Sequence, residues 1–134
     1  MARIEKTIEY KALEALVIGV AIWIAGALMI ILFGQASFFP MAAVSAAFLA
    51  APLMYIMTRF HLREIPVEKY AYVATHLGIA VSAVQFPLDA LGFLAIFKLG
   101  YPPLTLATRE AIILALEVGY FWLLIVPWWV GKRK

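Results

Sequence analysis

Residues 12–33 read ALEALVIGVAIWIAGALMIILF, a run with one charged residue, Glu14, that ends at Gly34-Gln35. A membrane-spanning helix needs about 20 largely apolar residues, and three further stretches meet the same requirement, at about 39–58, 69–97 and 108–130. Lipid offers no partners to backbone N–H and C=O groups, so such stretches must be helices or a closed barrel. These are too long and too continuously apolar for the alternating strands of about ten residues that build a barrel. The first run is also too long for a signal peptide and lacks a small-residue cleavage pattern after it. The sequence therefore predicts an all-α, four-helix transmembrane bundle in which residues 1–134 form one domain.

Composition agrees. Apolar residues make up 66% and charged residues 14% of the chain, against roughly 45–50% and about 25% in soluble domains, and mean hydropathy is +0.96. Too little polar surface exists to coat a soluble globule, which excludes a soluble enzyme, a disordered tail and a nucleic-acid-binding domain. Zero cysteines exclude disulfides, thiolate metal sites and cysteine nucleophiles.

Basic residues set an expected orientation, because cytoplasmic loops carry the excess of Lys and Arg. Arg3, Lys6 and Lys11 precede the first span, Arg59, Arg63 and Lys69 lie between the second and third, and Lys132, Arg133 and Lys134 follow the fourth. Only Lys98 and Arg109 fall at the other end. The expectation is a multi-pass protein of the inner or plasma membrane with both termini cytoplasmic. Tyr10, Tyr70, Tyr72, Tyr101, Trp128 and Trp129 sit near the expected boundaries, where amphipathic rings favour the headgroup layer. Pro66 suits the start of the third helix, Pro102-Pro103 forces a turn, and Thr105 or Thr108 can cap the fourth helix. Residues 3–9 read as a short amphipathic extension lying at the membrane.

The third span carries the most informative face. Thr75, Gly78, Ser82, Gln85, Asp89 and Gly92 recur at spacings of three and four, which places them on one stripe of a helix. Such a stripe must face protein or a wet cavity, and two readings fit. It is a packing seam, where small residues let backbones approach and polar ones bond across, or it lines a ligand or ion path. Pro87 frees the carbonyl of Ala83 close to Gln85 and Asp89, a grouping able to hold a cation or proton, or else simply a repaired kink. Alanine rows at 42, 46, 50 and at 43, 47, 51 in the second span, and Gly19 and Gly26 in the first, read as packing surfaces.

Two acidic residues fall deep within the spans. An acid at the centre of a bilayer costs on the order of 3 kcal/mol, so each needs a compensating partner. Asp89 precedes Lys98 and Glu117 follows Arg109 by intervals that put both roughly 12–14 Å below the same boundary, at about 1.5 Å per residue. If they face each other they can share a proton or bind a cation; if not, each is hydrogen-bonded glue for assembly. Tyr120 offers the one hydroxyl on the face of Glu117. The candidate ligand- or proton-binding set is therefore Asp89, Glu117, Gln85, Ser82, Thr75, His76 and Tyr120, with His76 read either as a relay or as a structural histidine near an interface. Glu14 reads as a surface ion pair with Lys11, and His61 as part of a basic loop meeting anionic headgroups.

Two histidines are too few for a haem or zinc site, and no nucleophile triad, glycine-rich phosphate loop or dinucleotide fingerprint occurs. No metal, cofactor or enzymatic activity is expected. In span number and size the chain is similar to the small multidrug-resistance exporters, a likeness of architecture that carries over none of their residues. The Ala-Pro-Leu turn at 51–53, the acidic 64–68 segment in a basic loop and the Phe86-Pro87-Leu88-Asp89 kink resemble an uncharacterised family of short bacterial four-helix membrane proteins. That resemblance implies the fold and no activity. The functional expectation is a proton- or cation-coupled transporter of a small hydrophobic or cationic solute, working as a homodimer because four helices enclose little space. The alternatives are an accessory subunit that binds a larger membrane partner, and a protein that binds lipid or another hydrophobic ligand.

Overall fold

A computed structural model describes the backbone of residues 2–132 and the side chains of residues 11–132. The elements are α1 (Ala2–Phe33), α2 (Phe39–His61), a 3-10 turn (Val67–Lys69), α3 (Tyr70–Leu94) running into a π-helical turn (Ala95–Leu99), and α4 (Leu106–Lys132). All four α-helices are long and apolar enough to cross a membrane. The expected quartet of spans is present, and no strand occurs among the described residues.

The helix ends follow local chemistry. Thr105 caps α4 by accepting the Thr108 N–H at 3.2 Å, which starts that helix slightly earlier than its apolar run. Pro66 is extended and precedes the 3-10 turn that leads into α3. The π turn closes at Gly100, whose φ of 68° lies in the left-handed region that glycine tolerates. At the other end of the chain, residues 2–10 continue α1 as one helix. Whether that stretch is amphipathic at the membrane turns on side chains that lie outside the described residues.

The helices alternate in direction, so both described chain ends share one end of the bundle, here the terminal end; the loops at 34–38 and 100–105 mark the loop end. In section, α3 packs on α1 and α4, and α4 packs on α2, whereas α1 and α2 touch little. Glycines permit the closest approaches. A Cβ on Gly78 would lie 2.6 Å from the Leu123 carbonyl oxygen of α4, and one on Gly19 of α1 would lie 3.1 Å from Val84 Cβ. Gly26, by contrast, has nothing within 4 Å and is no packing point. The alanine rows of α2 also part company: Ala47 is buried and Ala43 and Ala51 are half-buried, whereas Ala42 and Ala46 face outward. One row packs along its length; the other turns inward only at the half-buried Ala50.

The apolar core is in two parts. The larger fills the terminal half around Leu77, Val81, Met54 and Val130. The smaller, Phe39, Ile96, Leu104 and Ile112, closes the loop end. Between them lies a layer at mid-depth that contains Gln85, Asp89 and Tyr120.

Candidate functional site

The stripe of α3 faces protein, as its composition requires: Gly78 and Gln85 are buried, and Thr75, Ser82, Asp89 and Gly92 are half-buried. The close approach of α1 at Gly19 lets the Gln85 amide donate to the Gly19 carbonyl oxygen at 2.5 Å. Gln85 thus reaches a neighbouring helix rather than the carbonyl that Pro87 frees. One turn further, the Asp89 carboxylate accepts the Tyr120 hydroxyl of α4 at 2.5 Å, and Trp23 of α1 lines the same cavity as Asp89. A donor from a neighbouring helix therefore offsets part of the desolvation of this carboxyl. Tyr120 packs edge-on against Phe86, with ring centroids 6.4 Å apart.

Asp89 and Gln85 sit where two cavities meet. The larger, about 360 Å³, runs from mid-depth toward the loop end between α1, α3 and α4. Its walls are apolar, among them Ile22, Ile30, Phe93 and Leu116, with Trp23 and Tyr101 contributing aromatic surface. The smaller, about 150 Å³, extends from the same layer toward the terminal end, between Met54 and Met57 of α2 and Tyr120 and Leu123 of α4. Ile22, Gln85, Asp89 and Leu116 line both. One carboxylate is thus reachable from two hollows arranged along the bundle axis, and it is the one charged group in either wall.

The remaining candidate residues lie apart from this centre. Glu117 is on the outer face of α4, lines neither cavity, and makes no hydrogen bond or ion pair among the described residues. Tyr120, the hydroxyl expected beside Glu117, is committed to Asp89. Ser82 Oγ is buried with no hydrogen-bond partner among the described residues. His76 is half-buried near the terminal end and stacks on Tyr72 at 6.3 Å between centroids, and Thr75 is half-buried beside it. Among the described residues no cluster of His, Asp and Glu could hold a metal ion.

Two sequence readings are corrected at the terminal end. Lys11 and Glu14 do pair, at 3.5 Å, yet Lys11 is only 2% exposed, so this is no surface bridge. His61, expected among lipid headgroups, is wholly buried and its Nδ1 lies 3.0 Å from Glu14 Oε1. Arg63 approaches the other Glu14 oxygen at 3.5 Å. One carboxylate therefore gathers three basic side chains and ties α1 to the end of α2, where the two helices otherwise touch little. The signal was present in the short 34–38 loop. At 1.5 Å per residue, Glu14 stands about 28 Å back from that loop and His61 about 33 Å on from it. Antiparallel helices of those lengths bring the two to nearly equal depth.

No family model, curated protein or solved structure matches this chain.

Proposed function

We propose that this protein binds a small hydrophobic cation, or a hydrophobic amine, within the membrane and carries it across in exchange with a proton at Asp89. The observation that carries this reading is the 360 Å³ apolar cavity with a single carboxylate at its base. A cavity of that size falls in the range that holds small organic ligands, which are recognised by apolar walls and a few well-placed polar groups. Burial makes a lone carboxylate selective for a positive charge, since an unpaired charge there is costly. Trp23 and Tyr101 add ring faces that attract cations. A carrier also needs its site to be reachable from either end, and the 150 Å³ hollow on the other side of Asp89 supplies the second approach. Proton and solute compete because both neutralise the same oxygen atoms.

The test is binding of tetraphenylphosphonium to the purified protein in detergent, followed by its proton-driven uptake into liposomes. Asp89→Asn keeps the size of the side chain and removes its charge; we expect at least a ten-fold loss of affinity, equivalent to about 1.4 kcal/mol, and loss of uptake. Wild-type binding and flux in that variant would overturn the reading.

Glu117 favours a second role for the same molecule. A carboxyl on the lipid-facing side of a span is expensive, and a protein surface covering α4 would relieve that cost. A second copy of the chain, or a larger membrane partner that makes this an accessory subunit, would each do so. Cross-linking from the Glu117 face in native membranes distinguishes them: a product of twice the chain mass marks the homodimer, a heavier one the partner.

A further inference from the structure

A third hollow, of about 430 Å³, opens at the loop end and shares no lining residue with the two around Asp89. Its walls are Gln35 from the first loop, Gly100, Pro103, Leu104 and Thr105 from the second, and Arg109 from the first turns of α4. Arg109 is the one charged side chain in the wall, and no carboxylate faces it there. Among the described residues it makes no ion pair. Its guanidinium rests over the Phe97 ring, 5.4 Å from the centroid, which fixes its position from one side. Its Nε is buried and has no hydrogen-bond partner among the described residues. The Thr105 hydroxyl is already engaged with Thr108, whereas the Gln35 side chain is exposed beside the hollow.

A cation held in place, with a buried donor atom left over and no counter-charge, lacks an anion. The guanidinium fork matches two oxygens of one phosphate or carboxylate. Depth selects between these. Arg109 lies at the edge of a span and Tyr101 marks the same boundary, the level at which lipid phosphates sit. We infer that this hollow is a phosphate-binding site, with Arg109 as the charged ligand and the Gln35 amide as a second donor, occupied by a phospholipid headgroup or by a free phosphate. The site is independent of Asp89 and of any transport.

The experiment uses the full chain in a neutral detergent, with native mass spectrometry measuring bound lipid. Dioleoylphosphatidylglycerol is expected to bind the wild type at least ten-fold more tightly than dioleoylglycerol, which has the same chains and no phosphate. Arg109→Gln is expected to abolish that difference and Arg109→Lys to reduce it. Competition by inorganic phosphate assigns the site to a free oxyanion; lipid binding that resists it assigns a headgroup. Equal binding of the two lipids by a wild type that also binds no inorganic phosphate, or full discrimination in Arg109→Gln, overturns the proposal. The wild-type lipid and phosphate measurements need no variant and therefore decide even if Arg109→Gln fails to fold.

Discussion

Asp89 and Glu117 stand at similar depth on neighbouring helices, yet their surroundings are opposite. Asp89 has a tyrosine donor from α4 and opens on two cavities. Glu117 looks outward. The difference is a matter of helix rotation, since Tyr120 is less than one turn from Glu117 and still points to α3. Glu14 illustrates the same dependence on surroundings. Removing one member of a buried ionic group leaves its partners uncompensated, a loss that reaches 3–5 kcal/mol where burial is complete. Glu14 is 12% exposed and its Lys11 and Arg63 contacts are long, at 3.5 Å, so the expected cost of Glu14→Gln is smaller, about 2 kcal/mol. Reversible unfolding in mixed micelles checks this, with Glu68→Gln as the exposed comparison, expected to change stability by less than about 0.5 kcal/mol.

Among the elements, α3 organises the rest. It touches both α1 and α4, and Gly78 and Gln85 of its stripe sit where those two neighbours come close. Gly78 is the tightest point, because any Cβ there meets the Leu123 carbonyl, which cannot rotate away. Gly78→Ala is expected to force α3 and α4 apart and to cost about 1–3 kcal/mol, read as a lower unfolding midpoint in the same micelles. Gly26→Ala, with open space around it, is expected to leave the midpoint unchanged. Sequence spacing alone marked Gly26 as a packing position and left Gly78 on a stripe that either packs or lines a path. It could identify the stripe on α3, because hydrophobic periodicity is a property of one helix, but not which glycine would meet a backbone.

For the molecule as a whole, the apolar exterior is what a lipid environment requires. Large side chains such as Leu32, Met41, Leu49 and Phe86 face outward, and α1 is the least buried of the four spans. The absence of native cysteine makes topology directly measurable. In sealed cells, Gln35→Cys is expected to react with a membrane-impermeant thiol reagent, and Lys132→Cys only after permeabilisation, the outcome that the distribution of basic residues predicts. The reverse pattern would invert the bundle and place the phosphate-type hollow on the cytoplasmic side.

The number of spans, their limits to within a few residues and the inward-facing stripe of α3 were legible from the chain alone, because the cost of exposing backbone and charge to lipid acts on each segment separately. Which carboxyl acquired a donor, which alanine row packed, and the meeting of Lys11, Glu14, His61 and Arg63 were decided only when the helices assembled. Those outcomes depend on the rotation of each helix about its axis, and that rotation is set jointly by all the close contacts between helices, to which no single stretch of sequence holds the key.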